Sequence, residues 1–314
     1  MTEEITPQDI VYALAASPDY ARDGICFAAR KSGLYHSEDS GKSWKLAYES
    51  LELEEALATA AVALSPSFTE DQHVFSGVPG GVLRSTDGGK NWSVAMLPSP
   101  PPFVSTLVLS PNYRRDGIVF AGTLEDGVFY SKNRGDTWVS WNFGLLDLNV
   151  IALVVSPDFV NDETLFVGTD SGIYRSTNGG RAWREVDFPM DYAPVLSLAI
   201  SPNYADDGVL FAGTEDHGLY RSNDRGQSWT RLAEKSNPDM VNAILLSPKF
   251  PANPDILIML GDSLLISQDG GQSWTHRALN INTKVGLSAV IAPQGLDSES
   301  PLLIGLVEGS IQQI

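Results

Sequence analysis

Cysteine is almost missing: Cys26 stands alone among 314 residues. An intrachain disulfide is therefore excluded, and a reducing compartment is expected. Cys26 lies in the apolar run ICFAA, where a buried, inert thiol is expected rather than a nucleophile. Histidine is also scarce. His36, His73, His217 and His276 fall at unrelated positions, with no H-E-x-x-H and no cysteine partners, so a histidine-based metal site is not expected. No metal or cofactor is anticipated. Basic residues are few, 21 Lys and Arg against 39 Asp and Glu, for a formal charge of −18. That balance excludes binding that neutralises nucleic-acid phosphates or docks on anionic lipid. Solubility alone would account for it; if the charge is functional, the partner is cationic. No apolar run approaches the roughly 18 residues that cross a membrane. The start, MTEEITPQD, has no signal-peptide core, so a cytoplasmic location is expected, or secretion if a leader has been removed.

What the sequence has in abundance is repetition. The eight letters SNDRGQSW at 222 recur as SEDSGKSW at 37, STDGGKNW at 85, SKNRGDTW at 131, STNGGRAW at 176 and SQDGGQSW at 267. Their tryptophans, Trp44, Trp92, Trp138, Trp183, Trp229 and Trp274, are separated by 48, 46, 45, 46 and 45 residues. A second landmark precedes each box: ASPDY at 16, LSPSF at 64, LSPNY at 109, VSPDF at 155, ISPNY at 200 and LSPKF at 246, with a degenerate seventh, IAPQG, at 291. A period near 45 marks a repeat architecture.

Each unit reads as four short strands. An apolar run such as VLSLAI ends at SP, a turn rich in Asn, Asp and Gly follows, then VLFAGT, a glycine-containing turn, GLYRS, the box, and a strand beginning at Trp. No stretch sustains a helical period. Four-stranded units at this spacing describe a β-propeller. Boxes follow SP by 27 or 28 residues, so a seventh Trp would fall near 319, beyond Ile314; counting back 18 from Ser17 places an outer strand over about residues 1 to 6. The expectation is one domain over 1–314: an all-β, seven-bladed β-propeller of four-stranded blades, closed by the N-terminal strand completing the last blade. Blades 1 to 6 are expected over about 10–50, 58–98, 103–143, 149–189, 194–235 and 240–280. Residues 286–314 give three strands of blade 7 and residues 1–6 its outer one. Pro7 suits an edge.

In the box, Asp or Asn can accept from backbone N–H groups of its own turn, Gly supplies a positive φ or close approach, and Trp packs between turn and blade. The motif resembles the Asp-box, or bacterial-neuraminidase, repeat. With its GLYRS-type strand the chain looks like the propellers of sialidases, sortilin-type receptors, family 74 glucanases and photosystem II assembly factors. That resemblance implies a box between third and fourth strands, on the face away from the usual ligand site. Asp39, Asp87, Asn133, Asn178, Asp224 and Asp269, with the six box tryptophans, are then structural. Unrelated activities share such folds.

The seven innermost strands read VYALAA, TAAVAL, VSTLVL, VIALVV, VLSLAI, VNAILL and GLSAVI, without one Asp, Glu, His, Lys or Arg. Four residues before each SP stands Ala13, Ala61, Thr106, Ala152, Ser197, Ala243 or Ser288, small as crowding at the centre requires. A catalytic set on these strands is not expected. The arginines, tyrosine nucleophile and RIP-type motif of sialidases are not recognisable, whereas acids in neighbouring blades could meet the carboxylate spacing of a glycosidase.

The loops between second and third strands carry acids in five consecutive blades: Glu125 and Asp126, Asp170, Glu215 and Asp216 (beside His217), Asp262, and Glu308. Blade 1 offers Arg30 and Lys31. Such an acidic arc facing a basic pair could orient a cationic partner; hydrophilic turns of an acidic protein would read the same. Between blades lie Leu51, Leu53, Glu54 and Glu55 in a connection three residues longer than its equivalents, the run PSPPPF at 98–103, and Met190, Asp191 and Tyr192. Trp141, outside any box, is expected to pack between blades. These readings favour a monomeric, non-enzymatic scaffold holding a cationic protein or peptide on its acidic loop rim. Two alternatives stand beside it: a glycan-active hydrolase or lyase using rim carboxylates, and an enzyme or carrier for an apolar small molecule in the uncharged channel.

Overall fold

The computed structural model describes residues 8–98, 102–190, 192–232, 240–279, 285–297 and 299–314. Seven antiparallel sheets follow one another along the chain, with strands in sequence order across each sheet. Blade 5 is representative: inner strand Val195–Ile200, second strand Leu210–Thr214, third strand Leu219–Ser222 and outer strand Thr230–Leu232. Inner strands contact inner strands all the way round, and Val11–Ala16 of blade 1 meets Leu287–Ile291 of blade 7. The fold is an all-β, seven-bladed β-propeller.

Blade 7 shows three described strands, Leu287–Ile291, Leu303–Leu306 and Ile311–Gln313. Its expected fourth strand, residues 1–6, lies outside the described residues. The outer strands of blades 1 to 6 start one residue past the box tryptophan, at Lys45, Ser93, Val139, Arg184, Thr230 and Thr275. The SP turns fold as single helical turns in blades 1 to 5, from Tyr20–Asp23 to Tyr204–Asp207.

The hydrophobic core is divided into seven clusters, one at each junction between neighbouring blades. At the junction of blades 3 and 4, Phe120 and Val128 meet Leu153, Phe159 and Val167. At the seam, Val11, Leu14 and Tyr20 meet Ala289 and Leu303. A single four-stranded sheet cannot cover its own faces, so each blade gains its apolar burial from its neighbours.

Two recurring glycines bring blades this close. The second strand carries one against which the first-strand valine of the following blade packs: Gly77 with Val104, Gly122 with Val150, Gly168 with Val195, Gly213 with Val241, and at the seam Gly305 with Val11. The box glycine, at positive φ, rests on a second-strand side chain of the preceding blade: Gly89 on Phe27, Gly135 on Phe75, Gly180 on Phe120, Gly226 on Phe166, and at the seam Gly41 on Leu303. Both contacts therefore recur where the ends of the ring meet. A Cβ at Gly122 would stand 2.6 Å from both Thr106 and Val150, and one at Gly305 would stand 2.6 Å from Val11. Gly122→Val and Gly305→Val are each expected to cost about 1–3 kcal/mol through overpacking, seen as a lowered Tm by calorimetry. An unchanged Tm for Gly305→Val would contradict a packed seam.

Candidate functional site

Antiparallel order sorts the loops onto two faces of the ring. SP turns and boxes lie at one end; second-to-third hairpins and blade-to-blade connections lie at the other.

The first face is a lattice of side-chain-to-backbone bonds. In each box the Ser hydroxyl donates to the Asp or Asn Oδ1 at 2.8–2.9 Å and accepts from the box Gly N–H at 2.8–2.9 Å. The same Oδ1 accepts a backbone N–H four residues on, at 2.9–3.0 Å. Asn133 keeps this pattern and donates its amide to Thr137. The indoles of Trp44, Trp92, Trp138 and Trp274 donate to the box Gly carbonyl, while Trp183 donates across the junction to the Trp141 carbonyl at 2.8 Å. Trp141 stacks on Tyr130, with ring centroids 3.9 Å apart. Trp229 Nε1 has no hydrogen-bond partner among the described residues.

The SP turns hold a second device. Ser17, Ser65, Ser110, Ser156 and Ser201 donate to the Asp six residues on at 2.5–2.6 Å. That Asp in turn accepts the backbone N–H two residues later at 2.9–3.1 Å. The two turns are then joined, as in Ser40 N–H to the Gly24 carbonyl and Arg225 N–H to the Gly208 carbonyl.

The second face carries the candidate residues. Glu125, Asp170, Glu215, Asp216, Asp262 and Glu308 are exposed, and Asp126 and His217 are half-buried. The loop backbones are tied down: Glu125 N–H donates to the Asn149 side chain at 2.9 Å, Glu215 N–H to the Pro194 carbonyl at 3.0 Å, and His217 N–H to Thr214 at 3.0 Å. Glu308 accepts from Ser310. Lys31 is exposed, whereas Arg30 is half-buried. Arg30 pairs with Asp9 and lies over the Tyr35 ring at 4.5 Å; Asp9 also accepts from the Ser32 amide and hydroxyl at 2.8 Å. Arg30 thus clasps the segment leading into blade 1, and of the expected basic pair Lys31 alone presents charge to solvent. No local pattern marks this pairing, because Asp9 and Arg30 stand 21 residues apart. Asp191 and residues 99–101, which include the first two prolines of the PPP run at 100–102, lie outside the described residues; Tyr192 is 85% exposed. Sequence reading missed Phe143 and Leu146, both 80% exposed in the connection from blade 3 to blade 4. Their letters match those of buried positions, so nothing marked them.

Electrostatics separate the faces further. Hydrogen bonds from Ser43, Ser228 and Ser273 hold the carboxyls of Asp39, Asp224 and Asp269 at about 2. On the loop face Asp147 is partly desolvated, which opposes ionisation, yet bonds from Asn149 and Ser171 hold it below the ordinary range. Every described carboxyl whose pKa departs from its usual value goes down, the reverse of what a general acid needs. Burial pushes the Cys26 thiol up to about 12, an unreactive state at neutral pH. Among the described residues no group of three or more His, Cys, Asp or Glu could hold a metal ion, and no helix is long and apolar enough to cross a membrane.

The fold and its two faces define a seven-bladed β-propeller with a structural face and a variable loop face. The chain matches no protein-family model and no curated protein. Solved structures do resemble it. A GH74 xyloglucanase from Xanthomonas campestris superposes with TM-score 0.74 at 16% identity, over 98% of this chain and 52% of that one. YCF48 from Cyanidioschyzon merolae gives 0.70 at 14% identity, over 99% and 96%, and a YCF48 bound to D1 peptide gives 0.68 at 17%, over 98% and 93%. The chain spans about half the length of the GH74 structure. At these identities the likeness is one of fold.

The depressed box carboxyls carry a sign. Their folded pKa of about 2 lies below the ordinary 3.8, so their stabilisation is present above about pH 4 and is lost as pH falls through 2. The triple variant Asp39→Asn, Asp224→Asn, Asp269→Asn is expected to fold, as Asn133 and Asn178 do in their boxes. Its stability should change less between pH 4 and 2 than that of the parent, measured by urea unfolding across that range.

Proposed function

We propose that this chain is a non-enzymatic scaffold, an Asp-box propeller working in the cytoplasm, that holds a cationic protein or peptide on its acidic loop face. One observation carries the reading: the hairpins of five consecutive blades present exposed carboxylates on the same face, at Glu125, Asp170, Glu215, Asp216, Asp262 and Glu308. The opposite face commits its polar groups to holding turns together, which leaves the loop face for recognition. Side chains fixed on rigid hairpins make an anion-rich surface that steers a positively charged partner. The resemblance to a propeller that binds a peptide, YCF48 with D1 peptide, supports the choice of partner class. The likeness to a GH74 xyloglucanase, at 16% identity and over about half of that chain, gives a hydrolase no better support.

The test uses a fluorescein-labelled oligolysine probe and anisotropy. Binding should weaken as salt rises. Reversal of Glu125, Asp126, Glu215 and Asp216 to Lys should weaken it by about ten-fold or more. Reversal of Glu38, Glu70, Asp136 and Asp206, on the opposite face, should leave it within about two-fold. Equal loss from both sets would reject the loop face as the site.

A further inference from the structure

The three most exposed large apolar side chains among the described residues are Phe143 and Leu146, at 80%, and Tyr192, at 85%. They come from two separate connections, blade 3 to 4 and blade 4 to 5, yet all three border the outer edge of blade 4. Two adjoining depressions of about 720 and 760 Å³ flank that edge. Phe143 lines one; Leu146, Met190 and Tyr192 line the other; Glu185, Val186 and Asp187 line both. Single exposed apolar residues are ordinary, but a cluster of the most exposed ones beside a depression marks an interaction site.

The backbone at this edge has an opening of matching shape. The outer strand of blade 4 is Arg184–Glu185, with Glu185 opposite Tyr174. Val186 N–H donates inward to the Ile173 carbonyl at 2.9 Å, so alternation turns the Glu185 N–H and C=O away from the sheet. The neighbouring outward donor, Trp183 N–H, is occupied by the Phe143 carbonyl at 2.8 Å. One amide–carbonyl pair therefore stands open where the two depressions meet. The larger depression is lined by Asp147, Glu185 and Asp187 with no Lys or Arg.

We infer that the outer edge of blade 4 docks an extended peptide segment in which apolar and basic residues alternate, added as a fifth strand on Glu185. The inference rests on the proposed cationic-peptide function and names where and in what form the peptide sits. An added strand gains main-chain hydrogen bonds and directs alternate side chains to opposite sides. One set covers Leu146, Met190 and Tyr192; the other meets Glu185 and Asp187. No outer strand of another blade gathers described side chains as exposed as these three.

The probe is a fluorescein-labelled octapeptide of alternating Val and Lys, titrated into the intact protein. The variant is Phe143→Ser, Leu146→Ser, Tyr192→Asn, whose sites are exposed and whose Asn tolerates the positive φ of Tyr192. The parent should bind the probe, the variant should bind about ten-fold more weakly or worse, and the two should share one Tm. A probe N-methylated at its central amides, which cannot extend the sheet, should also lose about ten-fold. No binding to the parent, or equal affinity for parent and variant, overturns the inference. Should the variant bind the Val–Lys probe as the parent does while the loop-face reversals still abolish oligolysine binding, the blade 4 site alone fails. Should the variant lose the Val–Lys probe while those reversals change nothing, the loop-face reading alone fails.

Discussion

Phe27, Phe75, Phe120 and Phe166, each seated beneath the box glycine of the following blade, express the constraint on which the molecule depends. No blade has a core of its own; every cluster of buried residues spans two blades. An unclosed array would leave one apolar face of blade 1 and one of blade 7 in water. Closure is therefore a condition of stability, and the seam is built from the same two contacts as the internal junctions, Val11 on Gly305 and Leu303 beneath Gly41. Asp9 and Arg30 add an ion pair where the chain enters the ring.

That constraint divides the loops. Turns on the box face rest on the preceding blade through the box glycine, and their polar groups are consumed in holding the turns themselves: serine hydroxyls to aspartates, aspartates to backbone N–H groups, indoles to glycine carbonyls. The boxes and SP turns are two hydrogen-bonded devices acting on one end of the ring. Hairpins at the other end meet the following blade through a few bonds, such as Glu125 N–H to Asn149 and Leu287 N–H to the Gly261 carbonyl, and their tips carry exposed carboxylates.

The fold was legible because junction chemistry repeats. Each copy of S-x-D/N-x-G-x-x-W meets the same requirement, and seven SP landmarks count the blades. The serine–aspartate pair of the SP turn carried a comparable signal, Ser and Asp six apart in five repeats, and the valine six residues before SP marks the partner of the second-strand glycine in five. Both were readable but need the neighbouring blade to give them meaning. The loop face was legible only in part. Hairpin positions followed from the strand count, so Glu125, Asp170, Glu215, Asp262 and Glu308 could be placed. Arg30 reads as a loop cation, and its pairing with Asp9 is a tertiary fact. Phe143 and Leu146 use letters that mean burial elsewhere; exposure arises from where the blade 3 to 4 connection crosses the edge of blade 4.

The ring is closed, and its seam between blades 7 and 1 carries the same two glycine contacts as the junctions of blades 2 with 3, 3 with 4 and 4 with 5. Hydrogen exchange of the native protein, followed by mass spectrometry, compares the seven inner strands directly. In a closed ring, Val11–Ala16 and Leu287–Ile291, on either side of the seam, exchange with the same high protection as Val150–Val155 and Val195–Ile200 on the far side. Early exchange confined to the two seam strands would contradict it.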